Sequence, residues 1–117
     1  MFKKIRRGDM FYAELRYSFG SEQYGFRPVL IISNNVGNQY SNTVIVAVIT
    51  SQLTNKSKMP THCFISAQQG LELDSLVMLE QIRTLDKRRL KKHIGTLDSE
   101  TMSRIDRALS VSVGLKV

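Results

Sequence analysis

Cysteine, tryptophan and long apolar runs are scarce in this chain, and each shortage argues against a class of structure or function. The 117 residues include one cysteine, Cys63, and no tryptophan. A single thiol cannot close an internal disulfide, so packing alone must hold the fold. Apolar runs such as 28–32 are far shorter than the roughly 20 residues of a membrane span, and no apolar signal-peptide stretch follows the basic start. We therefore expect one soluble, cytoplasmic domain over residues 1–117.

Metal ligands are scarce as well. Two histidines, His62 and His93, and one cysteine fall short of a zinc site, whose ligands usually come in closely spaced pairs. A neighbouring pair such as His62 and Cys63 on a strand points to opposite faces and cannot easily share a ligand. We therefore expect no catalytic metal and no cofactor.

Positive charge is what the chain has in excess. Seventeen Lys and Arg against ten Asp and Glu give a formal charge of +7. The excess lies in two clusters, Lys3, Lys4, Arg6 and Arg7 near the start and Lys87, Arg88, Arg89, Lys91 and Lys92 later. Such a field attracts polyanions, and nucleic acid is the natural partner, although each cluster could also be a solvated face that maintains solubility.

The hydrophobic pattern predicts a mainly β protein with short helices. Apolar alternation or β-branched runs predict strands, and the connections are too short for crossover helices, which favours a strongly bent antiparallel sheet or small barrel. The final segment instead repeats apolar residues at helical spacing behind Asp98, an N-cap residue type, so it should form a C-terminal α-helix packed on the sheet. The predicted strands are 10–16, 29–32, 43–50, 61–65, 76–85 and 93–97, and the helical apolar residues are Met102, Ile105, Leu109 and Val113.

The loop from Phe19 to Pro28 is dense in polar and aromatic groups and is held between glycines. Aromatic faces can stack on exposed bases, and Ser, Glu and Gln can read base edges. Pro28 restricts Arg27 to extended backbone, so that its guanidinium can clamp a phosphate at a defined exit from the loop. A glycine-rich hairpin loop with incidental polar residues is the alternative interpretation.

Several segments, taken in order, resemble the MazF or PemK-like toxin family. They are Gly8-Asp9, Gly20-Ser21-Glu22-Gln23, Gly25, Arg27 to Asn34, Val46 to Thr50, Pro60-Thr61-His62, Asp74-Ser75 and Leu79 to Asp86. The resemblance implies an SH3-like small barrel of antiparallel strands with a C-terminal helix. It also implies a homodimeric, sequence-specific endoribonuclease that cuts single-stranded mRNA and is silenced by a cognate MazE-like antitoxin, usually an acidic and partly disordered peptide.

The resemblance also assigns site residues. Arg27 and Thr50 match the family's catalytic pair, and the positions near RNA are Phe19, Ser21, Glu22, Gln23, Ser75, Glu80 and Gln81. Metal-free cleavage requires the neighbouring 2′-hydroxyl to attack phosphorus, which would leave a 2′,3′-cyclic phosphate and a 5′-hydroxyl. The arginine fork suits the dianionic phosphorane, and the threonine hydroxyl can donate to the same group. The general base stays unassigned, with Glu22 as a candidate. A U-A-C-containing site is expected from similarity to the family.

Three alternatives remain at this point. His62 and His93 could act as base and acid of a two-histidine ribonuclease, although neither lies in the Arg27 loop. The protein could be an RNA-binding barrel without catalysis. It could also be a CcdB-like gyrase poison, but members of that group resemble one another in a C-terminal tryptophan that this chain lacks. The apolar residues Val111, Val113 and Leu115 could help to bury a dimer interface or could simply fray at the chain end.

Overall fold

The computed structural model describes residues 4–16, 25–53, 59–68 and 70–115. Besides a short 3-10 helix at Lys87–Arg89, the chain forms six strands and two α-helices within these ranges. They are β1 (Asp9–Leu15), β2 (Gly25–Ile31), α1 (Asn35–Tyr40), β3 (Thr43–Thr50), β4 (His62–Ile65), β5 (Ser75–Asp86), β6 (Leu90–Thr96) and α2 (Ser99–Val113). None of the described helices is long and apolar enough to cross a membrane.

All strand pairs are antiparallel, in the order β4-β5-β3-β2-β1-β6. The predicted antiparallel sheet with a C-terminal helix is therefore confirmed. The sheet is not closed, because β4 and β6 are its two edges and no pairing joins them among the described residues. It nevertheless curls strongly. The β4–β5 connection reaches the opposite edge, where a Cβ added at Gly70 would lie 2.2 Å from the carbonyl oxygen of Ile94 in β6.

Both faces of the curled sheet are apolar. One face packs under α2, whose Ile105 and Ala108 are buried against residues such as Met10 and Leu79. The other face gathers alternate residues of the central strands into a second core, including Phe11, Val29, Ile31, Val46 and Val48. Since α2 covers only one face, the curl of the strands over one another accounts for burial of the second.

The helix caps agree with the sequence signals at the C-terminal end. The Asp98 carboxylate accepts a hydrogen bond from Thr101 N at 2.8 Å, and α2 ends at Gly114, whose φ of 76° favours glycine. The short helix α1 was not predicted. It is held by local side chains: Asn34 Oδ1 accepts from Gly37 N at 2.7 Å, and the buried Asn38 donates Nδ2–H to the carbonyl of Ser33 at 2.9 Å.

Candidate active site

Arg27 lies near the start of β2, a strand that begins at Gly25 rather than at the predicted residue 29. Pairing of β2 with β1 covers Arg27, which lies opposite Ala13, whereas pairing with β3 begins only at Val29, opposite Val48. Pro28, which has no N–H to give to a ladder, stands between these two regions. The half-buried Arg27 therefore lies two residues before the stretch of β2 that pairs with β3.

Thr50 is the last residue of β3 and is 8% exposed. The observed pairing of β2 with β3 ends at Val29 opposite Val48, so Arg27 and Thr50 each lie two residues beyond the last pair. Thr50 Oγ1 accepts a hydrogen bond from Gln52 N at 3.2 Å. A hydroxyl that accepts one bond still has its own hydrogen to donate, so Thr50 can serve a phosphate oxygen.

Ser75 and Arg27 line one cavity of about 190 Å³, together with Tyr12, Pro28, Ile49, Ser51, Leu71, Glu72 and Leu73. Ser75 is 2% exposed and donates its hydroxyl to the Leu73 carbonyl at 2.8 Å. Thr50 is outside this lining, although its neighbours on both sides belong to it. Sequence reasoning missed Tyr12, Ser51 and Glu72 here, because they are distant in sequence and only the strand register brings them together.

Glu80 and Gln81 occupy a break in the regular pairing of β5 with β3. Ala47 lies opposite Ile82, but the next residue, Val48, lies opposite Met78, so residues 79–81 lie within a shift of the register. Such a bulge re-aims side chains that strict alternation would send to opposite faces, and bulges are common beside active sites. The predicted pair of adjacent RNA-contacting residues therefore falls on the irregular part of the strand.

The Glu80 carboxylate is held by Thr61, which directly precedes β4, and by His62, the first residue of that strand. Thr61 Oγ1 donates to Glu80 Oε1 at 3.0 Å, and His62 Nε2 lies 2.8 Å from Glu80 Oε2. The His62 side chain is fully buried, whereas the Glu80 side chain is 31% exposed. This carboxylate thus faces solvent from a fixed position.

The other predicted elements are placed as follows. Phe19, Ser21, Glu22 and Gln23 lie outside the described residues. His62 and His93 belong to β4 and β6, the two opposite edges of the sheet, which speaks against a two-histidine mechanism. Cys63 is buried in the core, and this burial raises the pKa of its thiol, while the nearby Arg104 guanidinium acts in the opposite direction. In the described ranges, no group of three His, Cys, Asp or Glu side chains is arranged as a metal site.

Comparison with known proteins agrees with this architecture. Residues 6–113 match the family model described as the PemK-like, MazF-like toxin of type II toxin-antitoxin systems. The chain is 51% identical over 112 residues to Endoribonuclease EndoA of Bacillus subtilis (strain 168), covering 95% of this chain and 96% of that protein.

Two solved structures share the fold. A mycobacterial endoribonuclease in complex with its cognate antitoxin is 27% identical with a TM-score of 0.77, covering 99% of both chains. MazF from Deinococcus radiodurans is 20% identical with a TM-score of 0.81, covering 96% of this chain and 98% of its own, and supports the fold alone. The family resemblance predicted from sequence is thereby confirmed, and the chain belongs to the PemK-like, MazF-like toxin family of type II toxin-antitoxin systems.

Proposed function

We propose that this protein is an endoribonuclease toxin that cleaves single-stranded mRNA in the cytoplasm and is inhibited by a cognate antitoxin. The observation that carries the proposal is the 51% identity to an endoribonuclease along 95% of the chain. The complex of a mycobacterial relative with its cognate antitoxin supports the partner. We further propose that residues 1–117 fold as one domain and that the active form is a homodimer. The exposed apolar residues Val111, Val113 and Leu115 are suited to contribute to its interface.

In the proposed reaction, the ribose 2′-hydroxyl beside the cut phosphate attacks phosphorus and displaces the 5′-oxygen of the next nucleotide. The Arg27 guanidinium presents two parallel donors to the phosphate oxygens and stays charged throughout, which offsets the charge that develops on the phosphorane. Thr50 donates its hydroxyl to the same group. An arginine holds its proton too tightly to act as an efficient base near neutral pH, so another group must accept the 2′-hydroxyl proton, and a general acid or water must protonate the leaving 5′-oxygen.

The residues that we propose to contact RNA come from three segments of the chain. Ser75 lines the cavity that Arg27 also lines, and Glu80 and Gln81 lie on the β5 bulge. We propose that Glu80, whose carboxylate only accepts hydrogen bonds when ionised, contacts donor edges of bases such as exocyclic amines. Phe19, Ser21, Glu22 and Gln23 complete the proposed surface by their match to the family positions.

One experiment tests the function and its chemistry together. Purified protein is incubated with a mixed-sequence RNA pool in excess EDTA, and the cut ends are sequenced and chemically typed. We expect cuts at a short motif containing U-A-C, a 2′,3′-cyclic phosphate on one product and a 5′-hydroxyl on the other. Replacing the ribose 5′ to the cut by deoxyribose should abolish cleavage. A 5′-phosphate end or a cleaved deoxy substrate would exclude the mechanism, and an RNA that is bound but never cut would favour a non-catalytic binding barrel.

A further inference from the structure

A polar groove of about 480 Å³ lies at the far end of the sheet from Thr50. It is built around α1 and its flanks, and Asn42 at its edge directly precedes the first residue of β3, whereas Thr50 is the last. Eight residues of extended strand separate these ends by roughly 23 Å, at about 3.3 Å per residue. The groove is therefore distinct from the region of Arg27 and Thr50.

The fold brings the two basic clusters of the sequence together at this groove. Lys4 and Arg6 come from the N-terminal cluster and Lys87 from the later one, yet all three line it. Backbone hydrogen bonds fix the convergence: Arg7 N donates to Asn35 Oδ1 at 2.7 Å, and Lys87 N donates to the Asn42 carbonyl at 3.0 Å. Residues 8–86 lie between the clusters, so their meeting is a property of the fold.

The cations that line the groove differ from nearby cations in whether they form ion pairs. Arg7 pairs with Asp106 at 2.7 Å, Arg88 with Asp86 at 2.9 Å and Arg89 with Glu14 at 3.8 Å. Lys4, Arg6 and Lys87 form no ion pair with any acid among the described residues. The described lining of the groove contains no Asp or Glu. No ion pair within the described part of the chain therefore offsets the charges of these three cations.

The remaining lining matches a nucleic-acid strand better than an acidic peptide. Tyr40 is 77% exposed, so its ring offers a flat face on which a base can stack. The amide side chains of Asn35, Gln39 and Asn42 add both donors and acceptors, which base edges and ribose hydroxyls can use but carboxylates only half use. The phosphates of an RNA strand can pair with the cations of the groove while one of its bases stacks on the Tyr40 ring.

We propose that this groove, termed here the α1 groove, is a second RNA-binding site that holds the phosphate backbone of a long substrate away from the cut. The inference rests on the proposed ribonuclease function and extends it from a short motif to the flanking RNA. A stacked strand would need about seven nucleotides to span the distance, at about 3.4 Å each. A hexamer cut at its centre has only three nucleotides on either side of the cut, fewer than this span requires, whereas a strand of 40 nucleotides has enough to reach the α1 groove.

The test compares kcat/KM for a hexamer and for a 40-nucleotide RNA that carry the same single site. The groove variant combines Lys4→Ala, Arg6→Ala and Lys87→Ala, which keep the backbone bonds of these residues. The control combines Lys91→Ala, Lys92→Ala and Arg107→Ala, three exposed cations outside the groove that give the same change in charge. Thermal unfolding of each variant verifies that it is folded.

We expect the groove variant to lower kcat/KM for the long RNA about tenfold and to leave the hexamer unchanged, while the control preserves the ratio between substrates. The slope of log affinity against log salt for the long RNA should also become shallower by up to about 2, at roughly 0.7 per lost phosphate contact. Tyr40→Ala should weaken the long RNA only.

Three results would overturn the proposal: an unchanged substrate ratio, an equal loss in both triple variants, or a groove variant that weakens only inhibition by an acidic antitoxin peptide. Failure of the ribonuclease function is separable, because the wild-type protein would then cut neither RNA. Fluorescence anisotropy with a 2′-O-methyl 40-mer still decides the groove in that case. Weaker binding by the groove variant alone supports the site, and equal binding refutes it.

Discussion

His62 Nε2 lies 2.8 Å from Glu80 Oε2, and the imidazole that makes this contact is completely buried. The strand pairing explains the geometry, since His62 lies opposite Met78 in β5 and Glu80 follows two residues later on the bulge. Thr61 holds the second carboxylate oxygen. An exposed carboxylate anchored by a buried ring loses little freedom when a base binds, which is the benefit of preorganisation.

We therefore expect His62→Ala to reduce RNA cleavage by about tenfold, mainly through KM, because hydrogen bonds to charged groups contribute about 1.5–3 kcal/mol. His62→Gln, which keeps a donor, should recover part of the loss. His93→Ala is the matched control, because His93 stacks edge-on against Phe11 at the opposite sheet edge. Steady-state kinetics on one RNA substrate measures all three. Loss of kcat in both alanine variants would instead indicate a two-histidine mechanism.

Arg27→Ala should eliminate detectable cleavage while the protein stays folded. Removing a single donor from a developing oxyanion typically costs about 10²–10³ in rate, and here a full charge is removed as well. Arg27→Lys keeps the charge but loses the planar fork, so its rate should lie between those of the alanine variant and the wild type. Single-turnover cleavage with parallel thermal unfolding measures both. Near-normal cleavage by Arg27→Ala would show that the family assignment does not apply to this residue.

Much of the fold could be predicted because local signals agree with it. β3 has the predicted bounds because its run of β-branched residues favours a strand. Asp98 caps α2, as its residue type indicates. α1 was missed because Asn35–Tyr40 has weak helix propensity and relies on the Asn38–Ser33 contacts. The β5 bulge is likewise invisible to periodicity, because it depends on the register with β3.

The candidate site likewise combines residues that local motifs indicate with contacts that only the fold creates. Arg27 and Thr50 could be selected from local motifs, but the shared cavity of Arg27 and Ser75 results from strand order. The anchoring of Glu80 by His62 results from the β4–β5 register. Contacts of this kind connect residues far apart in sequence, and a single sequence carries no local signal for them.

Substitution by alanine should destabilise the protein more at Gly70 than at Gly25. Its φ is +90°, and an added Cβ would lie 2.2 Å from the Ile94 carbonyl oxygen. Gly25 has nearly the same φ, +89°, with nothing within 4 Å of an added Cβ. Gly25→Ala should therefore cost only the backbone strain, about 1–2 kcal/mol, and Gly70→Ala about 3 kcal/mol or more. Urea unfolding of both variants measures the difference. Equal costs would mean that the loop can move away from β6.

Asp98 should make the stability of the protein fall in acid. The backbone N–H of Thr101 holds the pKa of this carboxyl below its usual value. Its stabilising contribution is therefore fully present above the unfolded pKa, about 4, and is lost as the pH falls through the lower folded pKa. Asp98→Asn should cap α2 about equally well at pH 7 but cannot titrate. Thermal unfolding at pH 7 and pH 3 should show a smaller decrease in Tm for Asp98→Asn, and identical decreases would refute this role.

Thr50 offers the sharpest separation of a catalytic hydroxyl from a structural one. Its Oγ1 already accepts a hydrogen bond from Gln52 N, so a serine preserves both that bond and the free hydrogen, while a valine removes both. We expect Thr50→Ser to cleave RNA within about threefold of the wild type and Thr50→Val to be about 10²-fold slower. The valine variant should also lose about 1 kcal/mol of stability with the Gln52 bond. Because that loss leaves the protein folded, single-turnover rates at equal folded concentration isolate the catalytic effect. A valine variant that lost stability but kept its rate would confine Thr50 to a structural role.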